Sequence, residues 1–290
     1  MAERHTNHID EISGVETTGH EWDGIRELNN PLPRWWLWTF YFTIIWAIGY
    51  AIAYPSIPLL TTNTKGLLGV TNRGELTKEL AAASAAQAKY VDAIKTTDVA
   101  GILANEELRT FAIAGGAAAF KVNCVQCHGS GAAGSPGYPN LNDDDWLWGG
   151  DINALYTTLQ HGVRYTADPE TRVSEMPAFG DILKPEEVDL VANYAVSLSG
   201  GTADAAKVTA GKEVFVNNCV ACHGEEGKGG RDFGAPNLTD AIALYGSDVA
   251  AISSQIMKPK HGVMPAWTAR LGDTTVKQLA VYVHSLGGGE

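Results

Sequence analysis

Methionine and cysteine are scarce in this chain, at four each in 290 residues. The cysteines fall in two tight pairs, so none is left over for any other role. Apart from the initiator, only Met176, Met257 and Met264 are available wherever a soft, neutral sulfur is needed. Basic residues are few as well: 21 Lys or Arg stand against 33 Asp or Glu, a net charge of −12. Residues 101–290 hold 22 acids and 13 Lys or Arg. That balance argues against a nucleic-acid partner, which demands a basic face, and suits steering of a basic protein partner. Strand patterning is sparse, with loops rich in Gly, Pro and Asp, which argues for a mainly helical chain. Long apolar runs are absent but for one, so at most a single segment crosses a membrane.

What is present is a pentapeptide that occurs twice, Cys124-Val-Gln-Cys127-His128 and Cys219-Val-Ala-Cys222-His223. Cys-x-x-Cys-His is the attachment signal for c-type haem: the thiols form thioethers to the porphyrin and the adjacent imidazole binds the iron. An all-cysteine zinc site or a pair of redox dithiols is the alternative use of such cysteines. Neither has a use for the histidine, and zinc ribbons place their pairs roughly 15–20 residues apart, whereas Cys124 and Cys219 are 95 positions apart. Two covalent haem c groups are therefore expected, held by Cys124, Cys127 and His128 and by Cys219, Cys222 and His223.

The repeat extends well beyond the pentapeptide. Gly116, Phe120 and Cys124 match Gly211, Phe215 and Cys219 at equal spacing. Pro139-Asn140-Leu141 matches Pro236-Asn237-Leu238, and His161-Gly162-Val163 matches His261-Gly262-Val263. Met176-Pro177-Ala178-Phe179 matches Met264-Pro265-Ala266-Trp267. Each copy closes on a helical pattern, 188–198 and 276–286, with Tyr194 and Tyr282 in register. Each unit of roughly 90 residues reads as helix, haem motif, long loop, methionine, helix. Asn105 with Glu106 and Glu107 predicts one helix start, and Pro185 with Glu186 and Glu187 another. Gly116 and Gly211 would weaken their helices unless the tyrosine-bearing closing helix crosses there closely.

Met176 and Met264 are the candidate sixth ligands. Each precedes a proline, which keeps it in extended backbone able to lean over a haem face, and each occupies the same place in the repeat. Met257 has neither feature and reads as a helix residue packed in the core. His161 and His261 are the competing axial ligands; the other reading gives them a carbonyl or a haem propionate. His5, His8, His20 and His284 have no repeat partner and take surface or structural roles. Pro139 and Pro236 are placed to offer their carbonyls to the other nitrogen of His128 and His223. Arg164, Arg172 and Lys260 are candidates to neutralise propionates.

The apolar run spans Trp35 to Tyr54, about the length of a bilayer-crossing helix. Trp35, Trp36 and Trp38 mark one end and Tyr50 and Tyr54 the other, as interfacial aromatic belts do. A cleaved signal peptide is the rival reading, opposed by the length of the run and by the acidic segment before it. Covalent haem c attachment is extracytoplasmic in bacteria. The expected placement is therefore the bacterial inner membrane, with the N-terminus cytoplasmic and the haem domains periplasmic. The expected organisation is a cytoplasmic segment 1–34, an anchor 35–60, a linker 61–104 with an Ala-rich helical spacer from Glu75 to Thr97, and cytochrome c domains 105–201 and 202–290. The fold class is mainly α: one N-terminal transmembrane helix followed by two tandem cytochrome c domains.

The segment His20-Glu21-Trp22-Asp23-Gly24-Ile25, continuing through Glu27-Leu28-Asn29-Asn30-Pro31-Leu32-Pro33, precedes a Trp-rich anchor and two Cys-x-x-Cys-His copies with repeated Met-Pro. This arrangement resembles the dihaem subunit, CcoP or FixP, of cbb3-type cytochrome c oxidases over nearly the whole chain. The resemblance implies electron transfer from a cytochrome c donor toward a monohaem cytochrome c subunit and a catalytic haem–copper subunit that reduces oxygen. No catalytic residue would then lie on this chain, and His128, His223, Met176 and Met264 would be the axial ligands. The spacing of 48 and 41 residues from histidine to methionine permits ligation within each copy, while the resemblance favours exchange, Met264 to the first haem and Met176 to the second. A free-standing dihaem enzyme, or a redox or gas sensor, is the alternative function, and each needs an open or labile sixth position.

Overall fold

The computed structural model describes residues 8–290, so His5, the initiator methionine and the first seven residues of the expected segment 1–34 lie outside the described part. The chain forms two compact units, one up to Ala85 and one from Ala86 onward.

The first unit opens with a hairpin that the sequence reading above did not anticipate. Strands β1 (Thr17–Trp22) and β2 (Ile25–Leu28) pair antiparallel, with Trp22 opposite Ile25 and Glu21 opposite Arg26. Asp23 and Gly24 form the turn with φ of 51° and 86°. Two successive positive φ values are what a two-residue primed turn requires, and Asp-Gly is a preferred pair for it. Helix α1 (Arg34–Ala53) follows Pro33 and buries none of its residues within the chain. Its 20 residues give a length of about 30 Å, the thickness of a bilayer's hydrocarbon core. The chain then folds back, and the amides of Leu67 and Leu68 donate to the carbonyls of Ile52 and Ala53, both at 3.0 Å. Last-turn carbonyls that would otherwise lack partners are thereby satisfied. Gly66, with φ +71°, permits this return, since a Cβ there would lie 2.4 Å from the Ala53 oxygen. Helix α2 (Asn72–Thr96) covers the predicted spacer up to Thr96, one residue short of its expected end, and buries only Ile94.

The second unit is helical: α3 (Val99–Ala104), α4 (Glu106–Asn123), α5 (Val125–His128), α6 (Ile152–His161), α7 (Pro185–Leu198), α8 (Ala205–Asn218), α9 (Val220–His223), α10 (Val249–Met257), α11 (Thr268–Leu271) and α12 (Asp273–His284). Asn105 caps α4 by accepting from the Leu108 amide at 3.1 Å. Pro185 opens α7, and the Glu187 carboxylate accepts from the Lys184 amide at 2.9 Å. Both starts are where the capping residues predict them.

The closing helices cross at the two glycines, but in exchanged pairs. Helix α4 packs on α12, from the other copy, and α7 packs on α8. A Cβ on Gly116 would sit 2.2 Å from the Gln278 carbonyl oxygen, and one on Gly211 2.1 Å from that of Leu190. Phe120 tilts against Tyr282 at 5.4 Å, and Phe215 against Tyr194 at 5.2 Å. The physical reason is local. Only residues 199–204 separate α7 from α8, and a short link favours antiparallel packing of successive helices. That leaves α4 to be covered by α12. Two cores result: one gathers Ile102, Phe120, Cys124, Leu155 and Leu279, with Met264 against it; the other gathers Val191, Tyr194, Phe215 and Ile256, with Met176 and Cys219 against it.

Lys277 is a buried charge whose role the sequence reading also missed. Its ammonium donates to the carbonyls of Ile94, Lys95 and Thr97 at 3.4, 3.2 and 2.9 Å, and pairs with Asp273 at 3.2 Å. A cation on terminal carbonyls is favourable at a helix C-terminus, so Lys277 fastens the end of α2 onto α12.

Candidate functional site

Helices α4 and α8 each end at a cysteine, and the next turn, α5 or α9, carries the second cysteine and the histidine. Gly129 and Gly224 stop these turns at φ of 79° and 75°. The chain then doubles back so that Pro139 and Pro236 face the imidazoles. His128 Nδ1 lies 3.0 Å from the Pro139 oxygen, and His223 Nδ1 lies 3.2 Å from that of Pro236. A carbonyl only accepts, so Nδ1 carries the proton in each and Nε2 keeps its lone pair. Burial holds both histidines below their ordinary pKa, opposed by the bond to the proline carbonyl. Neutral, oriented imidazoles with a free Nε2 are what an iron ligand needs.

Both motifs open into a cavity of about 640 Å³ with mainly apolar walls, lined by Cys124, Cys127, His128, Cys219, Cys222 and His223 and also by Met176 and Met264. Leu141, Leu155, Leu159 and Trp267 line it beside the first motif's core, and Val191, Phe215 and Ile256 beside the second's. Such walls fit a flat apolar macrocycle tethered at one edge. The thiols do not suit a redox dithiol: burial, then the neighbouring Cys127 or Cys222, pushes Cys124 and Cys219 up to about 11, where a reactive thiol needs a depressed value. No group of three or more His, Cys, Asp or Glu among the described residues is arranged to hold a metal ion, which disfavours the zinc reading.

The competing histidines are otherwise engaged. His161 contacts Asp168 at 3.3 Å and Glu170 at 3.4 Å and does not line the cavity. His261 does line it, but its Nε2 meets the Met176 carbonyl oxygen at 3.2 Å. Met257 departs from the core position expected of it: it is 45% exposed at the end of α10, because the adjacent Ile256 takes the buried side. Of the three cations, Arg164 and Lys260 line the cavity. Arg172 instead lies over the Trp148 ring at 5.4 Å and bonds the Thr158 hydroxyl.

Paired Cys-x-x-Cys-His turns, each with an oriented imidazole and a methionine-bearing loop at one apolar cavity, define a dihaem c-type cytochrome. Family models sharpen this. Residues 14–61 match the N-terminal domain of cytochrome oxidase-cbb3, FixP, and residues 111–194 and 206–283 match cytochrome c oxidase, cbb3-type, subunit III. The chain is 62% identical to the cbb3-type cytochrome c oxidase subunit FixP of Rhizobium meliloti over 290 residues, all of both chains. It is 52% identical to subunit CcoP of Cereibacter sphaeroides over 276 residues, 94% of this chain and 95% of the other. It is 51% identical to subunit FixP of Bradyrhizobium diazoefficiens over 288 residues, 97% and 98% of the two. The chain therefore belongs to the cbb3-type cytochrome c oxidase subunit III family, as a membrane-anchored electron-transfer subunit with two c-type haems.

Proposed function

We propose that His128 with Met264 and His223 with Met176 are the axial ligand pairs, and that the chain passes electrons from a cytochrome c donor through both haems toward the monohaem and catalytic haem–copper subunits. The observation that carries the pairing is the core each methionine shares with the other copy's haem cysteine: Met264 packs against the core that contains Cys124, and Met176 and Cys219 both pack against the second core. Cys124 and Cys127 tether the first group, Cys219 and Cys222 the second. When bound, haem c supplies a one-electron carrier, and histidine–methionine ligation raises its potential. The protein's own residues hold that carrier still. Pro139 and Pro236 orient the imidazoles, the apolar walls exclude water, and Lys260 and Arg164 offer positive charge at the cavity.

The functional haem lobes, on this reading, are 105–165 with 264–290 and 172–263, each built across the boundary of the two sequence copies. The N-terminal segment 1–34 is cytoplasmic, residues 35–60 form the anchor of an inner-membrane protein, 61–104 is the linker, and the haem lobes are periplasmic. Haem c attachment outside the cytoplasm supports that orientation. The acidic second unit suits a basic cytochrome c donor. A free-standing enzyme or gas sensor would need an open sixth position, and each lobe has a methionine instead.

The test is a pair of single substitutions in the full chain. Met264→Leu should abolish the methionine signature of the haem bound by Cys124 and Cys127, and Met176→Leu that of the haem on Cys219 and Cys222, while Met257→Leu leaves both spectra intact. Loss at the haem of the methionine's own copy would refute the exchanged pairing.

A further inference from the structure

The loops that carry the two methionines meet, and one side chain bonds to both. Arg164 has φ of 53°, a left-handed conformation uncommon outside glycine. Its Nε donates to the Gly262 carbonyl at 2.7 Å and its Nη1 to the Ser174 carbonyl at 3.0 Å. Gly262 lies two residues before Met264, and Ser174 two residues before Met176. The backbone around it is stitched to the same segments. Val163 and Met264 exchange amide–carbonyl bonds of 2.9 and 3.0 Å, and the Arg164 amide donates to the Arg172 carbonyl at 2.7 Å. Gly162 allows this approach, since a Cβ there would lie 2.2 Å from the Met264 oxygen.

We propose that Arg164 is a positioning residue shared by both methionines, so that it couples the ligation of the two haems. The proposal rests on the reading that Met264 and Met176 are the axial sulfurs. A planar guanidinium presents separate N–H groups in fixed directions, which lets one cation span two carbonyls; an ammonium on a flexible stem does not reproduce that fork. A left-handed arginine persists only where its surroundings over-determine it, a condition that clusters at functional sites. The bland role for this cation is to neutralise a propionate, and that role needs only the charge. Arg164→Lys keeps the charge and removes the fork. Arg164→Gly removes both but relieves the positive φ, so it stays informative if the lysine variant folds poorly.

The experiment uses the full-length dihaem protein in detergent. The readouts are the upfield methionine methyl resonances of the reduced form (one per haem), both midpoint potentials, and carbon monoxide binding by each ferrous haem. Both Arg164 variants should weaken both methyl resonances together and raise the carbon monoxide-reactive fraction of both haems on the order of tenfold. Parental resonances and potentials in Arg164→Lys, or a change confined to one haem, would overturn the proposal. Met176→Leu and Met264→Leu run alongside. If each removes one resonance while the Arg164 variants are silent, the shared clamp alone is wrong. If neither removes a resonance, the axial-ligand reading falls and the proposal with it.

Discussion

Ring contacts across the exchanged helices offer a quantitative test of the topology. Phe120, 1% exposed on α4, tilts at 58° against Tyr282 of α12, with centroids 5.4 Å apart. Phe215 and Tyr194 repeat the geometry at 5.2 Å and 59°. Edge-tilted aromatic pairs at such separations are worth about 0.5–1.5 kcal/mol beyond the area they bury. Replacing Phe120 or Tyr282 by Leu should cost each variant about 1–3 kcal/mol through lost packing. The Phe120→Leu/Tyr282→Leu double variant should then be less destabilised than the sum by about 1 kcal/mol. A parallel cycle on Phe120 and Tyr194, the pair a self-contained first copy would use, should be additive within about 0.5 kcal/mol. Denaturant unfolding of the full chain, followed by loss of the Soret band of native haem ligation, gives all the terms. Coupling in the Phe120–Tyr194 cycle with none in the Phe120–Tyr282 cycle would refute the exchange of closing helices.

Gly116→Ala should destabilise by about 3 kcal/mol, the upper end for overpacking. The new Cβ would lie 2.2 Å from a backbone oxygen and 2.6 Å from the Tyr282 Cβ, so α12 must move bodily; an unfolding midpoint equal to the parent's would contradict this. Asp145 is raised from 3.8 to about 6 by desolvation, then by Asp240, Asp143 and Asp144. Its folded value lies above its unfolded one, so the folded state prefers the protonated form and stability falls as pH rises from about 4 to about 6. For this half-exposed group the loss is about 1 kcal/mol after solvent screening. Asp145→Asn should flatten that part of the stability–pH curve, and an unchanged slope would count against it.

Much of this site was readable before any coordinates, because its chemistry is local. Cys-x-x-Cys-His specifies attachment within five residues, and the following proline needs only to lie within a loop's reach of the imidazole. Gly116 and Gly211 announced a close helix crossing, and the crossing exists. Which closing helix fills it was not readable from the repeat, since both copies carry equivalent helices; the six residues from 199 to 204 bias the pairing. The Asp23-Gly24 turn did leave a signal, a turn dipeptide between two short alternating segments, that went unused. Lys277 left none, and Arg164 was legible only as a candidate partner for a propionate. Each acts on carbonyls that come near only after folding, 180 or more residues away for Lys277 and 98 for the Arg164 bond to Gly262. Met257 shows the limit of helix pattern alone, since one residue's shift around α10 separates buried from exposed.

The central claim is that an oxidase complex uses this chain as a fixed electron conduit. Helix α1 buries nothing within its own chain, and the hairpin before it exposes Trp22 and Ile25 at 65% and 71%. Held proximity to the next carrier would then replace diffusional encounter. The direct measurement is cytochrome c-driven oxygen consumption in membranes whose only copy of this chain has residues 1–60 replaced by a cleavable signal peptide. The account predicts a soluble protein with both haems spectrally normal and a sharp fall in oxygen consumption. Undiminished consumption with the soluble form unassociated would contradict it.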